Sequence, residues 1–330
     1  MKVLISFRQE QKAIPFEATR LRKNIKGSLE LAGVEYTESF AALPDIAHFI
    51  SPNEETALSN AVSEGVPYVV SALYAEDDKN GRFLNVSKKG EISLPLKSKK
   101  ILSGARRILV PSEFAMYTLK SLGVLNDIQV VSPGVNLSRF DIKDEVEYGA
   151  FARYFRFSKD EKFVLAMGDS SDSGLVEALM NMAVLTPATR YFMIDASYKE
   201  NSWIIKKKQK TLPKNLLIVP VLSDDLYRAA MTSASAFLLF GDSSYNDLTL
   251  LECFAAKTPV IAISRNMSDR IVNAKNAYFA DSYENAASYL MDLSPNANAS
   301  SIINAYEFAK ERTLKKIGQK LLDVYREVIA

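Results

Sequence analysis

The chain of 330 residues carries 41 lysines and arginines against 39 aspartates and glutamates, a formal net charge of +2. This balance gives no support for a nucleic-acid-binding protein, so no nucleic acid is expected as a partner. The length suits two α/β domains of roughly 150 residues each. A single cysteine excludes an internal disulfide, and without a signal peptide or a spanning segment we expect a cytoplasmic protein.

Short β-rich runs alternate with amphipathic segments along the first 140 residues, which predicts parallel strands joined by crossover helices. The predicted strands are Lys2–Phe7, Asp45–Ile50, Tyr68–Leu73, Arg107–Pro111 and Ile128–Ser132. The predicted helices are Ala18–Leu31, Glu54–Ser63 and Glu113–Leu122. A glycine follows each helix closely as a stop signal, and Ser112 is the predicted N-cap of the third.

A second series of elements follows residues 141–161, which are charged and aromatic and predict an interdomain connector. Its strands are Phe163–Met167, Arg190–Ile194, Leu216–Val219, Ala236–Phe240 and Pro259–Ile263, and its helices are Gly174–Leu185, Asp224–Thr232 and Asn246–Ala256. The predicted domains are therefore residues 1–140 and 162–295, with a helical segment at 296–330. Two doubly wound, Rossmann-like α/β domains would face a cleft with the carboxyl ends of their strands, where such sheets bind ligands.

One segment of the second series, residues 223–264, carries a specific resemblance. A helix of small residues and an apolar strand lead to a loop and then to the run from Leu251 to Val260, LECFAAKTPV. This arrangement resembles the nucleotide-sugar site of retaining family-4 glycosyltransferases, which have the GT-B fold. Segments 29–38, 44–51, 104–124 and 130–140 resemble the same family in order and spacing, in particular the bacterial transferases that extend glycosyl-diacylglycerol lipids.

The resemblance implies a donor site for a nucleotide-sugar, most simply a UDP-sugar, with no separate cofactor. Backbone N–H groups of Leu248 and Thr249 at a helix start would face the diphosphate. Glu252 would accept hydrogen bonds from the ribose hydroxyls, and Leu222 would contact the nucleobase through its backbone. Gly168 and Ser244 lie at the remaining donor-site positions of the family pattern.

Several of these positions depart from the family pattern. Ser244 stands where the family has a sugar-contacting glutamate, Asp247 replaces a glycine, and Leu73 replaces a histidine. The loop 168–174, GDSSDSG, lacks the arginine and lysine that neutralise the leaving diphosphate, and one such donor is worth about 3 kcal/mol. Candidate replacements are Arg265, Arg270 and the cluster Lys206–Lys210.

The sequence contains no pattern of metal ligands, because the sole histidine, His48, and the sole cysteine, Cys253, are far apart along the chain. His48 is interpreted as a packed strand-end residue. Basic residues form three clusters: Arg20, Arg22, Lys23 and Lys26; Lys97, Lys99, Lys100, Arg106 and Arg107; and Lys206, Lys207, Lys208 and Lys210. These clusters are either solvated faces or peripheral contacts with an anionic membrane at its inner face, where each base adds about 1 kcal/mol.

Three interpretations of function remain open at this point. The first is an active retaining glycosyltransferase that acts on a membrane glycolipid or another cell-envelope acceptor. The second is a catalytically degenerate GT-B protein that serves as partner or regulator of an active glycosyltransferase. The third is a nucleotide-binding module without turnover. The retained Glu252 segment, the two-domain layout and the basic clusters favour the first interpretation. The altered positions at Leu73, Ser244, Asp247 and the loop 168–174 favour the second, and the third would use Glu252 without chemistry.

Overall fold

The computed structural model describes residues 1–6, 16–51, 55–72, 85–86, 92–156, 158, 161–168, 170, 172–195, 210–240, 247–263, 273–293 and 299–330. These residues form two compact units. Unit 1 comprises Met1–Gly134 together with Arg312–Ala330, and unit 2 comprises Val135–Glu311. The sequence placed the boundaries at 140, 161 and 295, and those remain a prediction about independently folding domains.

The elements alternate along the chain as the sequence pattern predicts. The strands are β1 Lys2–Ser6, β2 Glu35–Thr37, β3 Ile46–Phe49, β4 Tyr68–Ser71, β5 Asn85–Val86, β6 Ile92–Ser93, β7 Arg107–Val110, β8 Ile128–Val130, β9 Phe163–Gly168, β10 Arg190–Asp195, β11 Leu216–Val219, β12 Ala236–Phe240, β13 Val260–Ile263 and β14 Tyr278–Ala280. The α-helices are α1 Phe16–Leu31, α2 Glu55–Glu64, α3 Leu96–Gly104, α4 Glu113–Ser121, α5 Leu137–Phe140, α6 Glu145–Phe155, α7 Ser173–Leu185, α8 Asp224–Ser233, α9 Asp247–Ala255, α10 Tyr283–Asp292, α11 Ala299–Lys310 and α12 Leu314–Ile329.

Unit 1 contains a parallel sheet with the strand order β2-β1-β3-β4-β7-β8. One face of this sheet, including Leu4 and Val70, packs with residues of α2, α3 and α4. The other face, including Val3 and Val69, packs with residues of α1 and α12. Because both faces are covered, the central strands are apolar at nearly every position. The doubly wound prediction for the first half is confirmed.

Helix α12 returns the end of the chain to unit 1. A side chain at Gly318 would overlap the carbonyl oxygen of Ser28 in α1, so glycine at this position allows the two helices to pack closely. The sequence predicted continuous helical character over 299–328. In the structure this stretch is two helices, and Thr313 caps the second by accepting a hydrogen bond from the backbone N–H of Lys316.

Unit 2 contains a second parallel sheet with the strand order β11-β10-β9-β12-β13-β14. This is the Rossmann order, in which the direction of strand addition reverses between β9 and β12. Residues 141–161, which the sequence marks as a connector, contain α6 in this unit. Phe151 of α6 packs its ring 5.4 Å from that of Phe163 and 5.7 Å from that of Phe192.

A buried polar network joins α12 to the sheet of unit 1. The Nε2 atom of His48 lies 2.7 Å from Ser71 Oγ, and its Nδ1 atom lies 2.6 Å from Tyr325 Oη. His48 is 1% exposed, which agrees with its interpretation as a packed strand residue. Because burial removes the imidazole from water, it lowers the pKa of His48 from 6.5 to about 3.

The neutral form of His48 is therefore favoured in the folded state, and this contribution to stability is lost as pH falls from 6.5 towards 3. Since the chain has one histidine, we expect the free energy of unfolding to decrease by about 2 kcal/mol between pH 7 and pH 5. Urea denaturation followed by circular dichroism at both pH values measures this. The variant His48→Gln should lose the decrease, whereas an equal decrease in both proteins would contradict the assignment.

Candidate functional site

The carboxyl edge of the unit 2 sheet brings together the ends of several strands. Gly168 ends β9 and pairs in register with Asp195, which ends β10. Helix α9 follows β12, the strand on the other side of β9. Because β12 and β13 are parallel, the helix between them begins at this same edge. A ligand site at the carboxyl edge beside the switch point is the general rule for such sheets.

Helix α9 is buried along its whole length, from Asp247 to Ala255. Leu248 is 2% exposed and Thr249 is 0% exposed. The backbone N–H groups of this first turn have no partner within the helix, and the helix dipole adds positive potential there. The predicted diphosphate-facing residues therefore lie in the first turn of a helix that begins at the carboxyl edge. Asp247, 8% exposed, adds a carboxylate to this turn.

Glu252 lies five residues after Asp247 in α9, about 7.5 Å along the axis from the start of the helix. It is 3% exposed, and its Oε2 atom accepts a hydrogen bond of 2.6 Å from the hydroxyl of Tyr227 in α8. This placement differs from that of an ordinary acid on a helix surface. No sequence signal points to Tyr227, because it lies 25 positions from Glu252 and no motif joins the two residues.

Leu222 lies in the chain between β11 and α8, at the same edge of the sheet, and is 7% exposed. The backbone N–H of Tyr227, in the first turn of α8, donates to the carbonyl of Ser223. The predicted nucleobase contact is thus five residues from the tyrosine that binds Glu252. Ser244, the remaining predicted donor-site residue, lies outside the described residues.

The loop after β9 is organised by carboxylates. Asp172 caps α7 by accepting hydrogen bonds from the backbone N–H groups of Gly174 and Leu175. Buried Asp195 accepts a hydrogen bond from the backbone N–H of Ser170. A side chain at Gly168 would overlap that of Leu175, so glycine here lets α7 approach the strand. Asp172 is therefore explained by helix capping, and Asp195 is a polar residue of this edge that lies outside the sequence motif.

Several residues that the sequence singled out lie outside the described part of the chain. These are Leu73, Arg265, Arg270 and Lys206–Lys208. Lys210 is described and is exposed. Among the described residues, no group of histidine, cysteine, aspartate and glutamate side chains could hold a metal ion.

Lys257 takes an unusual backbone conformation at the end of the α9 motif, where the family has glycine. Its φ angle is +59°, in the left-handed region that favours glycine. Its ammonium group lies 2.6 Å from the carboxylate of Asp141 and 4.5 Å from the ring centroid of Tyr306. The hydrogen bond from Lys257 lowers the pKa of Asp141.

The basic clusters differ in how far their charge is neutralised. In the first, Arg22 and Lys26 both pair with Glu38. In the second, Arg107 pairs with Asp127 and Glu327. Lys99, Lys100 and Arg106 are exposed, and Lys97 is half-buried. No helix within the described ranges is both long and apolar enough to cross a membrane.

Comparison with known proteins agrees with this architecture. The processive diacylglycerol alpha-glucosyltransferase of Acholeplasma laidlawii is 21% identical over 338 aligned positions, covering 100% of this chain and 99% of that protein. The structure of Anabaena HepE in complex with UDP-glucose matches with a TM-score of 0.68 at 12% identity and covers 99% of this chain and 100% of its own. The fold is GT-B.

A glycosyltransferase from Rickettsia africae has the same fold, with a TM-score of 0.69 at 14% identity and coverage of 99% and 98% of the two chains. No protein-family model matches the sequence. The chain resembles family-4 GT-B transferases, with a glycolipid glucosyltransferase among its sequence relatives. The fold class and the resemblance expected from the motifs are both confirmed.

The strain at Lys257 can be separated from its contacts by two substitutions. Lys257→Ala removes the contacts with Asp141 and Tyr306 but keeps a Cβ atom in the left-handed region. Lys257→Gly removes both the contacts and the strain. We expect the glycine variant to be more stable than the alanine variant by about 1 kcal/mol in chemical denaturation. Equal stabilities would show that the backbone at position 257 is not strained.

Proposed function

We propose that this protein is a retaining glycosyltransferase that transfers a sugar from a UDP-sugar to a membrane glycolipid or another cell-envelope acceptor. One observation carries the proposal. Glu252 is buried in α9, the helix that begins at the carboxyl edge of the Rossmann sheet, at the family position that accepts hydrogen bonds from the ribose. The start of the same helix offers N–H groups and a positive dipole to a diphosphate.

The comparisons support the two halves of this proposal. The Acholeplasma relative is named as a diacylglycerol glucosyltransferase, which supports a glycolipid acceptor. The HepE structures contain UDP-glucose in one case, and UDP and glucose in another, which supports a UDP-linked donor. In this proposal Glu252, Leu222, Leu248, Thr249, Gly168 and Ser244 line the donor site.

The ribose role of Glu252 is tested by Glu252→Gln, which keeps an oxygen that can accept from Tyr227 but removes the charge and one acceptor. We expect UDP binding to weaken by about 1–3 kcal/mol in isothermal titration calorimetry. The matched control is Glu284→Gln, which changes an exposed acid in the first turn of α10 in the same unit. Unchanged affinity in the Glu252 variant would contradict the assignment.

A second candidate function is that of a partner or regulator of an active glycosyltransferase. The observation that favours it is the loop 168–174, which contains no basic residue, together with Asp247 in the first turn of α9. A phosphate leaving group there would meet carboxylates instead of cations, which opposes bond cleavage. UDP-sugar hydrolysis or transfer by the purified protein would exclude this candidate. Binding of UDP without turnover, with co-purification of a transferase, would support it.

We further propose that α3 of unit 1 contacts an anionic membrane surface, which would place the protein peripherally at the inner face. Leu96 on α3 is 87% exposed, and Leu125 is 96% exposed. The side chain of Asn126 donates to the carbonyls of Ser103 and Ala105, so the turn with Leu125 adjoins the end of α3. Exposed leucines beside exposed lysines suit an interface that has both charge and hydrocarbon.

The membrane proposal predicts that bases on this surface act through charge. Replacing Lys97, Lys99, Lys100 and Arg106 by glutamine should lower partitioning to vesicles containing phosphatidylglycerol by about fivefold per base removed, the equivalent of ~1 kcal/mol. Vesicle co-sedimentation measures this, with pure phosphatidylcholine vesicles as reference. Glutamine at Arg22 and Lys26, which pair with Glu38, is the control and should have a smaller effect per base removed. Equal losses per base in the two sets would argue against a surface centred on α3.

A further inference from the structure

The hydroxyl of Tyr227 is directed at the one residue of the donor motif that is expected to contact the ribose. Tyr227 is 0% exposed, and its hydroxyl donates to Glu252 Oε2 over 2.6 Å. This is a short hydrogen bond of the kind formed with a charged acceptor. The resemblance to family-4 transferases assigns no role to this position, so the function proposed above leaves Tyr227 unexplained.

A buried carboxylate requires hydrogen-bond donors, because its transfer out of water is otherwise strongly unfavourable. An ionised glutamate has two oxygens and about four lone-pair positions. A donor that binds one oxygen both stabilises the charge and fixes the rotation of the carboxylate plane. Tyrosine suits this purpose, because its ring has two rotatable bonds and its hydroxyl has a definite position once the ring is packed.

The ring of Tyr227 is fixed by its surroundings in unit 2. Phe140, which is 2% exposed, packs edge-on against it with a centroid distance of 6.4 Å and an interplanar angle of 88°. The next residue, Arg228, binds Glu147 of α6 through Nε at 2.6 Å and Asp144 through Nη2 at 3.2 Å. Because Arg228 follows Tyr227 in α8, these ion pairs hold this part of α8 against α6.

We propose that Tyr227 is a positioning residue for nucleotide binding, which holds the Glu252 carboxylate in the orientation that accepts the ribose hydroxyls of the donor. The inference rests on the proposed function. It also links the two predicted nucleoside contacts, because Tyr227 lies five residues after Leu222 and donates to Glu252. Tyr227 itself does not touch the nucleotide in this arrangement.

The variant Tyr227→Phe removes the hydroxyl and keeps the ring. Its binding of UDP, and of UDP that lacks both ribose hydroxyls, is compared with that of the wild type by calorimetry. We expect the variant to bind UDP about tenfold more weakly, while binding of the analogue changes little. The preference for the ribose hydroxyls should therefore decrease, a result that a general loss of stability does not produce.

Tyr191→Phe is the matched control. Tyr191 is also 0% exposed in unit 2, and its hydroxyl pairs with Thr186, but it lies near the start of β10 and so at the opposite edge of the sheet. This variant should lose stability as Tyr227→Phe does and retain the preference for UDP. In the Glu252→Ala background, which removes the acceptor of the Tyr227 hydroxyl, Tyr227→Phe should cause no further loss of UDP affinity, because the tyrosine acts through the glutamate.

The outcomes separate this inference from the proposed function. If the wild type binds UDP with a preference for the ribose hydroxyls and Tyr227→Phe retains that preference, the positioning role is overturned while the donor site stands. Additive losses in the Tyr227 and Glu252 double variant would also overturn it. If the folded wild type does not bind UDP at all, both the donor site and the positioning role are overturned.

Discussion

A carboxylate inside unit 2 must receive hydrogen-bond donors, and much of the local structure meets this requirement. Glu252 lies on a helix whose residues are all buried, so it has little water to bind. The hydroxyl of Tyr227 supplies one donor, and the packing of α8 against α5 and α6 fixes where that hydroxyl lies. A helix-surface acid would need none of this, and the cost of burying Glu252 suits a residue kept for binding.

The scaffold and the chemistry of this protein differ in how closely they follow the family. The order of strands, the start of α9 and the position of Glu252 all fit a donor site. The loop after β9 contains no base, and its acid Asp172 caps a helix. At the end of the motif, lysine occupies a glycine position and uses its ammonium group for contacts with Asp141 and Tyr306. The residues at these positions therefore have local structural roles in this chain.

The sequence predicted those parts of the fold that depend on local pattern. Strands buried on both faces, such as β9 and β12, read as unbroken apolar runs, and glycines marked the ends of α1 and α2. The sequence pattern did not indicate α3, because its lysines interrupt a short apolar face. It indicated a connector at 141–161, where α6 lies, because charged residues separate the buried aromatic residues of that helix.

For the site, the motif located Glu252 and the start of α9, since both belong to one continuous segment. It could not identify the donor to Glu252, because helix packing brings Tyr227 to it from 25 residues away. Asp195 could have been predicted from the sequence, because it is a polar residue at the end of an apolar strand. Its hydrogen bond to the loop at Ser170 depends on the register of β9 and β10.

A crystal structure of the protein with UDP would show whether unit 2 binds a uridine nucleotide through α9, as proposed. We expect ribose hydroxyl oxygens within hydrogen-bonding distance of the Glu252 carboxylate, with the Tyr227 hydrogen bond still present. We also expect the diphosphate at the N–H groups of Leu248 and Thr249. A nucleotide bound elsewhere, or one whose ribose does not reach Glu252, would contradict the proposed donor site.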